Sequence, residues 1–237
     1  MKYTTRSQKQ KTGFTLIELL TVIAIMAIVA GMVVGLAGVA GKKKRIARTQ
    51  AELNQLVTAI DSYFAEYNSY PPQVNGSYGV NSLYHELIGT QYTVDPTPAN
   101  STFKTPDGRL TLNVEAVQEF FGMGGFANVN ETGAAKNYLS TISPNQTALI
   151  KITDPSLSAY TAQILIVEAE APPGKAIMAM DPGLTDRYGA QDIEGKPKTV
   201  NPWRYNSSNP SNNPNSYDLW AEIRVGDETI IIGNWDN

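Results

Sequence analysis

Apolar and polar residues follow three different patterns along the chain. From Phe14 to Gly41 the residues are apolar or small almost without break, a 28-residue run in which Glu18 is the only charge. A helix rises about 1.5 Å per residue, so this run covers roughly 42 Å, more than the ~30 Å hydrocarbon core of a bilayer. The pattern predicts a membrane-spanning helix over 14–41. A secretory signal peptide carries an apolar stretch of only about 7–15 residues before its small-residue cut, so the length argues against one. Beyond it, Ile46, Leu53, Leu56, Val57, Ile60 and Phe64 recur at near-helical spacing between Gln50, Glu52, Asn54, Gln55 and Asp61. That periodicity predicts an amphipathic half over 42–70, continuing one helix from Phe14 to Tyr67. The helix ends at Asn68-Ser69-Tyr70-Pro71-Pro72, because a proline ring disfavours helical geometry in the residue before it.

Past Pro72 the pattern breaks into short pieces. Val80, Leu83 and Leu87 predict a helix over 82–88, and 114–121 predicts another, stopped by the glycines from Gly122 to Gly125. A third helix is expected over 134–142. Runs rich in Ile, Leu and Val predict strands at 148–153, 162–169, 217–225 and 229–233, the last two joined by a Gly226-Asp227 hairpin signal. The expected fold class is α+β, a long N-terminal helix packed on a small antiparallel sheet within a globular domain at 71–237.

Charge divides the chain sharply. The leader 1–13 carries Lys2, Arg6, Lys9 and Lys11 and no acid, and Lys42, Lys43, Lys44, Arg45 and Arg48 follow the apolar run. Positive charge therefore flanks the run on both sides and does not set its orientation. Past Arg48 there are ten basic and twenty-one acidic side chains, so this part is a poor partner for nucleic acid. No cysteine is present, which removes disulfides and thiol chemistry. With His85 as the single histidine, a histidine-dependent triad or multi-histidine metal site is excluded. Glu168 and Glu170 share a predicted strand face, but acid–base work would need a cleft around them. No constellation supports catalysis, and the chain is expected not to be an enzyme.

Glu18 stands apart, because a carboxylate inside an apolar run is costly unless it has a partner. The octet Gly13-Phe14-Thr15-Leu16-Ile17-Glu18-Leu19-Leu20 resembles the processing segment of type IV pilins and type II secretion pseudopilins. The resemblance implies cleavage between Gly13 and Phe14 by prepilin peptidase on the cytoplasmic face, then N-methylation of Phe14. It places the N-terminus inside and the C-terminal domain in the periplasm, on a single pass through the bacterial inner membrane. It further implies that Glu18 meets the Phe14 amine of a neighbouring subunit as the filament grows. Cleavage would put an ammonium on Phe14 four residues from Glu18, on the same helical face. An intrachain pair and a pair between subunits both remain open on that spacing.

Three later segments are similar in order to the end of the major type II secretion pseudopilin: Asn201-Pro202-Trp203-Arg204-Tyr205, Ser216-Tyr217-Asp218-Leu219-Trp220 and Ile232-Gly233-Asn234-Trp235. Tyr70-Pro71-Pro72 resembles the end of its helix. The resemblance implies a homopolymer with minor pseudopilins, membrane lipid, an inner-membrane platform and its ATPase as partners, and protein export as the task. The related alternative is a type IV pilin or competence pseudopilin serving adhesion, motility or DNA uptake. A signal-anchored periplasmic binding domain is the alternative from another class. Two departures stand out. Major pseudopilins hold calcium in a loop before the final Gly-Asn-Trp, and here 221–229 is short and strand-like, leaving Asp218, Asp227 and Glu228 as weak candidates for a cation that wants six to eight oxygens; no cofactor is expected. The stretch 74–199 is a long insertion relative to the compact family member.

Overall fold

The computed structural model describes residues 13–73, 76–130, 135–157, 160–181, 184 and 186–235, with backbone alone for 33–39. The basic leader 1–12 lies outside the described residues. The chain forms two compact units, Met1–Lys44 and Arg45–Asn237.

Helix α1, Leu16–Tyr67, belongs to both. In the first unit every described side chain from Gly13 to Met32 is exposed, so this segment is apolar without a core of its own. Among the described residues no helix is long and apolar enough to cross a membrane; the 14–41 expectation also needs 33–39, whose side chains lie outside the description. The helix stops at Asn68, which sits in the left-handed region at φ 51 and donates its backbone N–H to the Phe64 carbonyl at 2.8 Å. Asparagine tolerates that conformation, so the stop comes from Asn68 itself, ahead of the prolines.

The second unit is built from two further helices, α2 (Leu83–Ile88) and α3 (Val114–Phe121), and eleven strands. They are β1 (Thr90–Thr93), β2 (Thr102–Lys104), β3 (Thr111–Asn113), β4 (Val129–Asn130), β5 (Thr147–Ile152), β6 (Thr161–Val167), β7 (Tyr188–Gln191), β8 (Asn201–Pro202), β9 (Arg204–Asn206), β10 (Asp218–Val225) and β11 (Glu228–Gly233). They form three sheets, ordered β3-β2-β1-β4, β7-β5-β6-β8 and β11-β10-β9. The expected single small sheet is therefore three, and one pair, β1 with β4, is parallel.

Two cores hold the unit. Leu53, Leu56, Ile60 and Tyr63 form one buried stripe on α1. They pack with Leu83 and Leu87 of α2 and with Leu219, Ala221 and Ile223 from the inward face of β10. The second core sets Val117, Phe120 and Phe121 of α3 against Ile150 of β5 and Ile164 and Ile166 of β6. Strand β6 serves both, because alternate side chains leave opposite faces of a strand: Leu165 and Val167 enter the first core, Ala162, Ile164 and Ile166 the second. That double burial explains why its sequence reads as a continuous apolar run.

The segment 74–199 supplies most of two sheets and the whole of α2 and α3, with Leu83, Leu139 and Leu165 in the same core as α1. One expected element is absent: 135–142 is not helical. Its backbone is bonded elsewhere, with Tyr138 N–H donating to the Leu87 carbonyl at 2.8 Å and the Lys136 carbonyl accepting from Asn128 Nδ2 at 2.7 Å. Leu139 is buried at the same time. Long-range partners replace the helical ladder.

The C-terminal hairpin matches its signal. Val225 pairs with Glu228 across a two-residue turn in which Gly226 takes φ +68, a left-handed conformation that glycine adopts without strain. Asn234 extends the ladder past β11: its side chain accepts from Leu219 N–H and donates to the Tyr217 carbonyl, each at 2.9 Å.

Candidate functional site

Gly13, Phe14 and Thr15 precede the first helical residue, Leu16. Gly13 and Phe14 are exposed, so the bond between them lies on non-helical chain open to another molecule. A Cβ built on Gly13 meets nothing within 4 Å, and its backbone is outside the left-handed region. The fold thus places no demand for glycine at this position.

Thr15 caps the helix. Glu18 Oε2 accepts from Thr15 N–H at 2.8 Å and from Thr15 Oγ1 at 2.7 Å, while Glu18 N–H donates to Thr15 Oγ1 at 3.4 Å. This reciprocal arrangement is a capping box, satisfying donors that the first turn otherwise leaves unpaired, and an acid here also suits the positive end of the helix dipole. Thr15 is the participant that sequence reasoning missed, although the Thr-x-x-Glu spacing was readable. Glu18 therefore has a partner within its own chain before any second copy arrives. Its contact is a threonine three residues back; the Phe14 nitrogen remains in peptide linkage to Gly13.

The basic cluster divides. Lys42, Lys43, Lys44 and Arg45 are exposed, whereas Arg48 engages Glu52 at 3.3 Å and Glu168. Burial raises the Glu52 carboxyl above its ordinary range, opposed by the Arg48 guanidinium beside it.

The carboxylates suggested for calcium do not come together. Asp218 is buried, and its two oxygens accept from the backbone N–H groups of Ser211 (2.7 Å), Asn212 (2.9 Å) and Asn213 (2.9 Å). It anchors the 211–213 loop. Asp227 and Glu228 are exposed at the far end of β10, which at about 3.3 Å per residue is roughly 23 Å away. Among the described residues no group of three His, Cys, Asp or Glu side chains is placed to hold a metal ion.

Glu168 and Glu170 lie past the end of β6, not on a strand, and both line a cleft of about 620 Å³. Each faces a guanidinium, Arg48 for Glu168 and Arg224, at 3.7 Å, for Glu170.

His85 is fully buried on α2 against Phe121 and Phe126, and its Nε2 accepts from Gln163 N–H at 3.4 Å. Burial pushes its pKa down to about 3, so the imidazole is neutral. Its neighbour Glu86 is raised by burial and held by the Ala127 and Asn128 N–H groups and the Tyr63 hydroxyl. Both residues tie α2 into the fold.

Residues 8–34 match the family model described as prokaryotic N-terminal methylation motif, which spans the non-helical Gly13-Phe14 bond, the Thr15 cap and Glu18. No curated protein and no solved structure matches the chain. The motif is of the kind that type IV pilin-like substrates of prepilin peptidase carry, and it implies processing and pilus-type assembly.

Proposed function

We propose that this chain is a pseudopilin of a type II secretion system. Prepilin peptidase cuts between Gly13 and Phe14, Phe14 is N-methylated, and the mature subunit polymerises into a periplasmic filament that drives protein export. The subunit catalyses nothing; its partners are copies of itself, minor pseudopilins, the inner-membrane platform and its ATPase. The run 14–41 is its anchor, with the N-terminus in the cytoplasm and the second unit in the periplasm.

The observation that carries this reading is the Gly13-Phe14 bond, exposed and non-helical, directly ahead of a capped helix inside a matched methylation motif. The surface behind it points the same way. An apolar helix face exposed from Phe14 to Met32 needs a cover, and lipid before assembly and sister helices afterwards would supply it. The order of the Trp203, Trp220 and Trp235 segments favours secretion over an adhesive pilus.

Glu18 caps its own helix, so its replacement must separate two roles. Glu18→Gln keeps an acceptor for Thr15 and removes the charge. On this proposal, co-expression with prepilin peptidase cuts the parent and Glu18→Gln alike, shortening each by the 13-residue leader. Only the parent then forms cross-linked helix ladders in the membrane. Normal ladders from Glu18→Gln would reduce Glu18 to a cap and sink the assembly role. An uncut parent would sink the whole reading.

A further inference from the structure

The outward face of the β11-β10-β9 sheet carries a groove of about 730 Å³ that none of the residues of the processing segment lines. Three aromatic rings line it with Trp220 between the other two: Tyr78 and Trp220 have centroids 5.5 Å apart and planes tilted by 56°, Trp220 and Trp235 6.0 Å and 57°. Both indoles are half-buried, Tyr78 is 43% exposed and Ile231 beside them 51%. So much aromatic surface left open to water is costly, and here it is built on rigid supports.

Trp220 stands on β10. Trp235 lies against β11, where a Cβ on Gly233 would meet its ring at 2.7 Å, so the close seat of the indole requires glycine. The Tyr78 carbonyl accepts from Tyr205 N–H at 3.0 Å and Asn81 Nδ2 at 2.8 Å. Gly79 next to it is pressed on Pro202, with 2.9 Å between an added Cβ and Cγ.

The chemistry of the rim narrows the ligand. Asn206 is buried and its amide is bonded to Asn209, and Asn212 Nδ2 donates to Asp218, so the rim offers the Ser211 hydroxyl and the Asn212 amide oxygen. Among the described residues no lysine or arginine lines the groove, so an anion finds no anchor. Among the described lining residues the one carboxylate, Asp218, is occupied by three backbone N–H groups and by Asn212 Nδ2 at 3.2 Å. What remains is a set of mutually tilted aromatic faces edged by neutral polar groups. A pyranose ring offers the complement, a C–H face for the negative face of an indole and equatorial hydroxyls for the rim.

We propose that the Tyr78–Trp220–Trp235 groove binds a neutral saccharide chain, with pyranose rings packed against the tilted aromatic faces. The same chemistry is available from the glycan of the cell wall and from a soluble glycan.

The test is calorimetric titration of the full chain, in micelles whose headgroup is not a sugar, with cellohexaose, chitohexaose and maltohexaose, and with tetramethylammonium as a cationic probe. At least one oligosaccharide should bind saturably. Trp220→Ala, Trp235→Ala and Tyr78→Ala should each weaken binding at least about tenfold, and Tyr78→Phe should retain it. Near-ultraviolet circular dichroism verifies folding; should Trp220→Ala not fold, the more peripheral Trp235→Ala carries the comparison. Co-sedimentation with purified cell-wall sacculi, competed by the soluble sugar, assigns the wall as the source. Saturable binding without co-sedimentation assigns a soluble glycan. Absence of saturable binding by all three sugars, binding unchanged in the alanine variants, or binding of tetramethylammonium alone would overturn the proposal. None of these outcomes depends on cleavage at Gly13.

Discussion

The two units use apolar residues in opposite ways. In the first, every described side chain from Gly13 to Met32 faces outward, and the chain makes no core. In the second, large residues such as Tyr63, Phe120, Trp203 and Tyr205 are almost wholly buried, and two cores share strand β6. On the proposed function the exposed residues of the first unit are answerable to a lipid, an enzyme or another copy, while the buried residues of the second answer to one another. Substitutions should therefore fail differently, by function without unfolding in one unit and by unfolding in the other.

The sharpest break is at the cleavage position. Gly13→Ala should abolish the mass shift produced by prepilin peptidase while leaving the thermal unfolding of the second unit unchanged, because the added methyl meets open space. Coupled loss of both would mean that the glycine serves the fold. A core substitution does the reverse. Ile60→Ala, at a residue of zero exposure, should cost about 2–5 kcal/mol in denaturant unfolding, whereas Ile25→Ala in the first unit should leave that transition in place.

The next effect is pH-dependent and confined to the second unit. The His85 pKa is lowered from 6.5 to about 3 by burial, so the unfolded chain binds a proton over that window and the folded one does not. Stability from this residue is complete above the unfolded value and falls as pH drops towards 3, by about 3 kcal/mol between pH 7 and pH 4. Glu86 acts oppositely: its raised pKa contributes stability that is present below its ordinary value of 4.5 and lost as pH rises through the folded value. Melting curves of parent and His85→Leu over pH 4–7 isolate the first effect, and the variant should show the flatter acid slope. Equal slopes would place the proton elsewhere.

The smallest change belongs to the first unit again. Thr15→Val removes the hydroxyl that bonds Glu18 and should speed amide exchange in the first turn roughly fivefold, the scale of a lost helix cap. Melting of the second unit should not move.

Legibility follows the same division. Where an element is decided by neighbours in sequence, it could be read: the helix to Tyr67, the stop of α3 at Gly122, the turn at Gly226-Asp227 and the processing octet all depend on residues within about one helical turn. The capping box is equally local, resting on the three-residue spacing of Thr15 and Glu18. Short strands such as β1, β2 and β4 carry two to four residues each, too few for a period to declare itself. The region 135–142 has helix-forming residues, but its backbone is bonded to Leu87, fifty-one residues from Tyr138, and to the side chain of Asn128, eight residues from Lys136.

By itself, the sequence determined the octet that lies in the matched methylation motif, the acid within it, and the long helix with its apolar and amphipathic halves. These are local, since propensity, spacing and motif act over a few residues. Tertiary structure decided the rest. It set β6 between two cores, turned Glu168 and Glu170 into ion pairs and gave the Asp218 carboxylate to a loop. It also aligned Tyr78, Trp220 and Trp235 along one groove. Those outcomes depend on which distant groups satisfy a buried polar atom or cover an apolar face, and only the closed fold brings such groups together.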